Sequence, residues 1–444
     1  MKFNTLKTKR FVIKNFSKKL INKKYLNWFS QEVIRKYIKF RPKSIEELKK
    51  NISIILTNKK NLFLSIMFKN KHIGNIKIHN INYKTKLAWL GILIGEKKYR
   101  GIGAAKEIIE EIKSFLSSKN FFFIKLNVSK KNKRAINTYV NSRFIIEKKF
   151  TNHLRMSSNI YAKKIILGLA QLQSNYGVTN TSRKKITLNE SIRILKFLNN
   201  CEINELDSAY TYPFKNELLA KINKPILFNT KISTTDFQNL NKFYSSIKKL
   251  KKINNIKINT IFVHDGNNII NKNGQKLFGI LNSLKKKKLI KKIGISFHDF
   301  SNFKNILNKF KVDTIQIPYS VVDQRARRYF KFIKKKNIEI QVRSVFLQGA
   351  LLKKVKTNKK LSSLYDKIAL KKNIDRVNFL LSFVLNETAI DKVVIGVRMF
   401  NELKIICNYF QFNKSESFYT NLRSNDPDVV NPLRWRELIY HEKK

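Results

Sequence analysis

The chain has 444 residues, of which 43% are hydrophobic and 12% aromatic, so it is long enough for two or three domains and apolar enough to bury their cores. Its formal net charge of +63 comes from 92 Lys and Arg against 29 Asp and Glu, a balance that makes nucleic-acid binding an alternative to weigh. The basic residues are scattered through every segment, which favours a biased composition over a basic binding patch.

Cysteine content and the N-terminal segment bear on the metal content and location of the protein. Cys201 and Cys407 have no C-x-x-C spacing and no accompanying histidine cluster, so we expect neither a disulfide framework nor a metal site. Residues 1–10 lack the apolar stretch of a signal peptide, and no apolar run approaches the ~18 residues of a membrane span. We therefore expect a cytoplasmic protein that does not insert into a membrane.

The first 160 residues mix strands and helices, which predicts an α+β domain. The polar stretch 152–159 is interpreted as the linker that ends it. In chain order, the pattern predicts a strand at 10–14, helices at 25–35 and 45–56, strands at 62–68, 73–78 and 87–94, a helix at 103–117, a strand at 122–128, a helix at 132–141 and a last strand at 144–150.

A glycine-rich turn separates the strand at 87–94 from the helix that follows it. Such a turn lets backbone N–H groups approach a phosphate closely, and the helix N-terminus adds its partial positive charge. The motif therefore favours an anionic cofactor, although an ordinary strand-to-helix turn would also contain glycine. The residues of this segment are Lys98, Tyr99, Arg100, Gly101, Ile102, Gly103 and Ala104.

Over about residues 5 to 150 the chain resembles the GNAT family of N-acetyltransferases, especially the group that acts on ribosomal-protein N-termini and amino sugars. The resemblance is carried by the glycine-rich turn together with residues 25–28, Ile73-Gly74, Asn132, Ala135, Tyr139 and Phe144. It implies that acetyl-CoA is the cofactor and that the segment 98–104 binds its pyrophosphate. It also implies that Asn132 lies beside the pantetheine arm and that Tyr139 protonates the departing thiolate.

Three points of the acetyltransferase site stay open in the sequence. The attacking amine must be neutral, so a base or a water path is required, and Glu96 and His79 are both candidates for the base. The chain also departs from the family pattern, because Arg143 stands where a glycine usually precedes Phe144 and Lys98 replaces the usual Gln or Arg. Tyr139 alone could be an ordinary half-buried helix tyrosine.

From residue 164 to 444 eight short apolar runs alternate with helical segments, which predicts a (β/α)8 TIM barrel with a C-terminal tail. A doubly wound open sheet is the alternative, but no G-x-G-x-x-G motif follows the first strand. The predicted strands are 165–169, 203–206, 226–230, 260–263, 293–296, 314–317, 338–342 and 392–397.

Four polar residues follow the second, third and fourth predicted strands, at the end of a barrel where catalysis is expected. They are Asp207, Tyr212, Lys231 and His264. A tyrosine can donate a proton to a carbonyl near neutral pH only if its pKa, normally about 10, is lowered, and a nearby ammonium group does this. Each residue alone has an ordinary structural interpretation, such as a turn cap, a surface lysine or a core histidine, but all four in order favour catalysis.

This tetrad resembles that of the aldo/keto reductase family, and the resemblance extends over about residues 164 to 411. It implies NADPH or NADH as the cofactor, and NADPH is favoured because the family more often uses it. It also implies that Ser296 and Gln316 bind the nicotinamide carboxamide, that Arg343 and Ser344 belong to the cofactor-binding seventh loop, and that the loop of Gly396 and Arg398 binds the phosphate end.

The chain departs from that family pattern at three positions. Phe297 replaces the usual Asn after Ser296, Ile395 replaces a common Pro, and Arg343 stands where many members stack an aromatic ring on nicotinamide. The segments Gly168–Gln171 and Tyr176-Gly177-Val178 look like a subgroup often found among surface-polysaccharide enzymes.

Together these patterns predict a bifunctional enzyme with small-molecule substrates. An acetyltransferase consumes an amine and a reductase handles a carbonyl or alcohol, and amino sugars or nucleotide sugars for surface polysaccharides offer both. One alternative is a peptide N-terminal acetyltransferase fused to a general carbonyl reductase. Another is a basic binding protein without enzymatic activity, against which the complete tetrad counts; nucleic acid is the less favoured partner.

Overall fold

A computed structural model gives the fold of residues 3–172, 186–212, 215–355, 359–369, 375–408, 419, 421–431 and 434–435. The chain divides into two compact units, Met1–Ala162 and Lys163–Lys444. The segment Tyr176-Gly177-Val178 lies outside the described residues.

The first unit is built on a mixed sheet of eight strands in the spatial order β1-β2-β3-β4-β5-β6-β8-β7, counted over its described residues 3–162. Neighbouring strands are antiparallel except β5 and β6, which run parallel. The strands are β1 Leu6–Lys7, β2 Val12–Asn15, β3 Leu62–Phe68, β4 Lys71–Asn82, β5 Leu87–Ile94, β6 Phe123–Ser129, β7 Ile145–Lys149 and β8 His153–Asn159.

Helices cover this sheet through apolar residues spaced three or four apart. In the helix Ala104–Ser118, the residues Ile108, Ile109, Ile112 and Leu116 are completely buried, as expected for an amphipathic helix packed on a sheet. The α-helices are α1 Lys23–Leu26, α2 Glu32–Arg35, α3 Ile45–Thr57, α4 Ala104–Ser118 and α5 Lys133–Asn141, with 3-10 turns at Lys18–Leu20, Lys97–Tyr99 and Ile160–Lys164.

The predicted α+β class is confirmed, but two predicted elements of this unit are wrong. The helix expected at 25–35 is two short helices, and between them the Ser30 hydroxyl donates to the Asn27 carbonyl at 2.8 Å. The expected linker 152–159 is strand β8, which pairs with β6 and β7. Its buried residues Leu154 and Met156 alternate with polar ones, and the Arg155 guanidinium lies over the Trp89 ring, 5.3 Å from its centroid.

Helix α5 ends in a Schellman motif at Arg143, the position where the family usually has glycine. The N–H of Phe144 donates to the Tyr139 carbonyl at 2.9 Å, and the N–H of Arg143 donates to Val140 at 2.8 Å. Arg143 has φ +56°, the left-handed region that only glycine adopts without cost. This unit therefore carries local backbone strain at the end of the helix that bears Asn132 and Tyr139.

We expect Arg143→Gly to stabilise the first unit by about 0.5–1 kcal/mol, because glycine removes the left-handed strain while its own chain entropy offsets part of the gain. Urea unfolding followed by tryptophan fluorescence measures the effect, since Trp28 and Trp89 lie in this unit. Arg143→Ala is the matched control, because it removes the same charge but keeps the strained φ, and it should give no gain. A gain of equal size in both variants would assign the effect to charge.

The second unit is a closed barrel of eight parallel strands, which confirms the predicted (β/α)8 architecture. Every predicted barrel strand is present within a few residues of its expected bounds. The strands are β9 Ile165–Gly168, β10 Glu205–Asp207, β11 Ile226–Ile232, β12 Ile256–Val263, β13 Lys292–Ser296, β14 Thr314–Pro318, β15 Glu339–Arg343 and β16 Lys392–Gly396.

Helices follow the barrel strands, and several begin with a side-chain cap. Thr187 accepts from the N–H of Glu190, Asn271 from Gly274 and Asp375 from Asn378, which satisfies N–H groups that a helix start leaves unpaired. The helices are α6 Leu188–Phe197, α7 Leu240–Lys251, α8 Lys272–Lys286, α9 Phe303–Lys309, α10 Phe330–Lys335, α11 Lys359–Ala369, α12 Arg376–Asn386, α13 Phe400–Asn408 and α14 Pro427–Val430, with 3-10 turns at Leu198–Asn200, Asn216–Lys221, Thr234–Asn239, Gly266–Ile270, Arg325–Tyr329 and Leu347–Gly349.

The barrel interior is polar at its N-terminal end. Glu205 is buried and accepts hydrogen bonds from Asn229 at 2.8 Å and from Asn259 at 3.0 Å, and Lys392 lies 2.9 Å from its other oxygen. A second pair, Lys292 and Glu339, joins the first residues of β13 and β15 at 2.5 Å. These groups form a hydrogen-bonded floor beneath the C-terminal half of the barrel.

Candidate active sites

The four predicted catalytic residues of the barrel line one cavity at the C-terminal ends of its strands. Asp207 ends β10, Lys231 lies near the end of β11, His264 follows β12, and Tyr212 lies in the loop after β10. The cavity has a volume of about 1030 Å³. This arrangement follows from the parallel sheet, because strands that all run the same way bring their final residues to one face.

Asp207 and Lys231 form a buried ion pair in which the Lys231 ammonium donates to Asp207 Oδ1 and, at 3.4 Å, to the Ser208 carbonyl. Gln316 Nε2 donates to Asp207 Oδ2 at 2.9 Å, so both carboxylate oxygens are held. Burial lowers the pKa of Lys231 and the Arg343 charge lowers it further, while Asp207 opposes them. Asp207 thus favours the protonated form of Lys231, which burial disfavours.

His264 is a neutral imidazole in this site. Burial lowers its pKa to about 4, and the positive charges of Lys231 and Arg343 act in the same direction. The ring therefore stays uncharged at neutral pH and can donate one N–H to a carbonyl oxygen. Because its folded pKa lies below the ~6.5 of a free histidine, its contribution to stability is present above pH 6.5 and is lost as the pH falls through 4.

We expect Arg343→Gln to raise the pKa of His264 from about 4 toward its ordinary value, because the guanidinium charge disfavours imidazolium. NMR titration of the histidine ring signals measures both midpoints. Arg325→Gln is the control, because Arg325 pairs with Asp323 at 2.8 Å and is not among the groups that shift His264. A wild-type midpoint near 6.5, or no movement in Arg343→Gln, would contradict the assignment.

Two buried polar atoms fit the amide end of a nicotinamide cofactor. Ser296 Oγ and Gln316 Oε1 are buried without a hydrogen-bond partner in the described part of the chain, and the two residues are adjacent in the β13–β14 register. Leaving such atoms unpaired costs free energy, so a ligand that bonds them is favoured. Of the other predicted cofactor residues, Arg343, Ser344, Gly396 and Arg398 line the cavity.

Arg343 extends toward the loop after β13. Its guanidinium donates to the Phe297 carbonyl and to His298 Nδ1, both at 3.0 Å, and to Ser344 Oγ at 3.2 Å. Phe297 is completely buried with its ring 4.8 Å from that of Phe303, so its side chain serves packing where the family uses Asn. Sequence reasoning missed His298, although its place just after a barrel strand is the signal that identified His264.

The glycine-rich turn of the first unit has the geometry of an anion site. Gly101 has φ +86° and Gly103 has φ +79°, and Gly103 is the N-cap of the 15-residue helix α4. Within residues 3–162, no acceptor bonds the N–H groups of Gly101, Ile102 and Gly103. The turn therefore presents unpaired N–H groups at the positive end of a helix.

The parallel strands beside this turn diverge toward it. β5 and β6 pair only through Leu87–Trp89 and Phe123–Lys125, at their N-terminal ends. The C-terminal part of each strand is unpaired on that side, which opens a wedge in the sheet at the end of β5 that leads into the turn. A cofactor with a long arm fits such a wedge, because its amides can take up the freed backbone groups.

Three arginines surround the turn, and sequence reasoning identified only one of them. The Arg100 guanidinium donates to the Ile94 and Gly95 carbonyls and to Gln31, so it fastens the turn to the end of β5. Arg10 donates to the Ile102 carbonyl at 3.0 Å, and a Cβ at Gly101 would lie 2.6 Å from Arg134 Nη2. Arg10 and Arg134 come from distant parts of the sequence, which offers no signal for their meeting here.

Asn132 and Tyr139 lie on α5 as predicted, one as its cap and one in its body. The Asn132 side-chain oxygen accepts from the N–H of Ala135 at 3.1 Å, so its NH2 group remains available as a donor. Burial raises the pKa of Tyr139 to about 12, so the phenol is fully protonated at neutral pH. It can supply a proton, although the raised pKa makes it a weaker acid than a free tyrosine.

The structure separates the two predicted bases and adds a third candidate. Burial raises the pKa of Glu96, but hydrogen bonds from Trp28 and Lys24 outweigh it, and the carboxylate is ionised just before the turn. His79 pairs with Trp89, about 16 Å along β5 from its C-terminal end. His72, which sequence reasoning missed, lies with its ring centroid 4.7 Å from that of Trp28, the residue that bonds Glu96.

No helix in the described ranges is long and apolar enough to cross a bilayer. Known structures similar to this chain include two enzymes. The spermidine N-acetyltransferase from Vibrio cholerae in complex with CoA and spermine is 18% identical, with a TM-score of 0.31, over 34% of this chain and 95% of its own. An aldo-keto reductase from Bacillus halodurans in its holo form is 17% identical, with a TM-score of 0.44, over 59% of this chain and 93% of its own.

A search among curated proteins found no match to the sequence. The sequence profile of the aldo/keto reductase family matches residues 164–426, which is more than half of the chain and spans the whole barrel with its tetrad. The chain therefore belongs to the aldo/keto reductase family.

Proposed function

We propose that the chain is a bifunctional enzyme, an NAD(P)H-dependent carbonyl reductase joined to an acetyl-CoA-dependent N-acetyltransferase. The observation that carries the reductase is the meeting of Asp207, Lys231, Tyr212 and His264 in one cavity. The acetyltransferase is supported by the two glycines of positive φ at the start of α4 and by the wedge between β5 and β6.

In the reductase, the residues of the cavity prepare a carbonyl for reduction. Bound NADPH or NADH would supply the hydride, with Ser296 and Gln316 holding its carboxamide. The neutral His264 donates a hydrogen bond to the carbonyl oxygen and fixes its position. Tyr212 donates its proton to that oxygen as the carbonyl carbon is reduced, which gives an alcohol. Lys231, held by Asp207, stabilises the phenolate that Tyr212 becomes.

In the acetyltransferase, the turn and helix α5 hold the acyl donor. Bound acetyl-CoA would supply the acetyl group, with its pyrophosphate on the N–H groups of 101–104. As the amine nitrogen took the acetyl group and the C–S bond broke, Tyr139 would give its proton to the departing sulfur. We propose Glu96 or His72 as the base that accepts the proton that the amine loses.

We propose amino sugars or nucleotide sugars as the substrates, because they carry both an amine for one site and a carbonyl or hydroxyl for the other. The alternative is acetylation of peptide N-termini beside a general carbonyl reductase. The proposed location is the cytoplasm, where both acetyl-CoA and the reduced dinucleotides are made available to enzymes. NADPH is the preferred dinucleotide in this proposal.

A substrate panel separates these functions. The purified protein is incubated with acetyl-CoA and either amino-sugar nucleotides or peptides with free N-termini, and the released CoA thiol is measured. Acetylation of sugars alone supports the proposal, whereas acetylation of peptides alone supports the alternative. Calorimetric titration with NADPH and with acetyl-CoA tests the enzyme assignment itself, and a protein that binds neither would be a basic binding protein.

A further inference from the structure

A second imidazole faces the reductase cavity. His298, two residues beyond the end of β13, lines the cavity together with Tyr212, Lys231 and His264. The ring centroids of His264 and His298 are 6.2 Å apart. More than a third of the His298 surface remains exposed, so the ring lies at the cavity wall and not within the core.

The contact with Arg343 fixes the protonation pattern of this ring. A guanidinium has only donors, so the 3.0 Å contact between Arg343 Nη2 and His298 Nδ1 requires Nδ1 to accept. The Arg343 charge also lowers the pKa of His298, and the partial burial of the ring acts in the same direction, so the ring is neutral at physiological pH. A neutral ring whose Nδ1 accepts carries its proton on Nε2, and that N–H is a donor of fixed orientation.

The cavity thus contains two neutral imidazoles held side by side. Each can donate one hydrogen bond of about 2.9 Å, and rings 6.2 Å apart can bond two oxygens on neighbouring carbon atoms. His264 serves the carbonyl oxygen in the proposed reaction. The His298 N–H, beside it, can donate to an oxygen on the adjacent carbon of the substrate. A substrate without that oxygen leaves the His298 N–H unpaired.

We propose that His298 is a specificity-determining residue that selects 2-hydroxy carbonyl compounds, by donating from Nε2 to the hydroxyl next to the reacting carbonyl. Arg343 acts through it as a positioning residue. This inference rests on the proposed reductase function, and it narrows the substrate to carbonyls of the hydroxylated kind found in sugars.

The test compares two aldehydes that differ by one oxygen, 2-hydroxypropanal and propanal, in NADPH oxidation by the full chain. We expect the wild type to favour 2-hydroxypropanal in kcat/KM by at least about ten-fold. In His298→Phe the ratio should fall to about one, whereas His298→Gln, which keeps an N–H donor, should keep part of the preference. His153→Phe, in the other unit, is the control and should keep the wild-type ratio.

The possible outcomes distinguish failure of the role of His298 from failure of the proposed reductase activity. Equal rates for the two aldehydes in the wild type, or an unchanged ratio in His298→Phe, would overturn the role of His298 and leave the reductase standing. An altered KM for NADPH without a change in the ratio would place His298 against the cofactor and would also overturn it. Failure to reduce any aldehyde, in a protein whose circular dichroism is native, would refute the reductase and this inference together.

Discussion

We expect Tyr212→Phe to lower kcat for carbonyl reduction by about 10³-fold and to keep the affinity for NADPH within about two-fold of the wild type. The change removes one hydroxyl from a cavity that also contains Asp207, Lys231 and His264. Without that hydroxyl no acid protonates the carbonyl oxygen during reduction. The proposed cofactor-binding residues Ser296 and Gln316 are unchanged. NADPH oxidation measures the rate, and calorimetric titration measures the binding.

A second tyrosine of the same loop is the matched control for this experiment. The Tyr210 ring packs on Phe243 with the ring centroids 5.5 Å apart. Burial raises the pKa of Tyr210, and the Asp236 carboxylate that its hydroxyl faces raises it further. Tyr210→Phe should keep kcat within about two-fold of the wild type. A similar loss in both variants would assign the effect to the loop, and full activity in Tyr212→Phe would remove Tyr212 from the mechanism.

The second large effect is expected at the glycine-rich turn. Replacing Gly101 and Gly103 together by Glu should weaken acetyl-CoA binding by at least about 100-fold and leave NADPH binding intact. Both positions have positive φ, and a Cβ at Gly101 would lie 2.6 Å from Arg134 Nη2. The new carboxylates also repel the pyrophosphate at the place where the α4 N-terminus attracts it.

Gly279→Glu provides the control for added charge at a glycine. Gly279 lies in α8 of the barrel, and a Cβ there would meet nothing within 4 Å. This variant should bind both cofactors as the wild type does. Undiminished acetyl-CoA binding in the double variant would show that the turn is an ordinary structural connection. Loss of NADPH binding in the double variant would indicate general misfolding instead of a local effect.

Features that depend on periodicity were predictable from the sequence. Strands β3 and β5 have the predicted bounds, because each is a mainly apolar run that begins directly after a polar residue. The barrel was predictable for the same reason, and the aldo/keto reductase assignment followed from residues at its strand ends. Strand β8 was missed because two consecutive serines follow Met156 and break its apolar alternation. Only the fold explains Arg155, whose guanidinium lies over the Trp89 and Phe150 rings.

Contacts between distant segments were not predictable from one sequence. Arg343 and His298 are 45 residues apart and meet only because β13 and β15 end on the same face of the barrel. Arg10 and Arg134 reach the glycine-rich turn from opposite ends of the first unit. Pattern and spacing describe what each segment becomes, but side-chain partners of this kind depend on how the finished elements pack.

The polar floor of the barrel lies apart from the residues that contact the substrate, so evolution or engineering can change those residues without changing the floor. Glu205, Asn229 and Asn259 close the interior beneath Asp207 and Lys231, so the cavity lies at the opposite face of the barrel. His298, in the loop after β13, and Arg343, at the end of β15, can therefore be changed to accept new carbonyl compounds while the floor keeps the barrel intact. Substrate specificity and the stability of the barrel therefore depend on different residues of this unit.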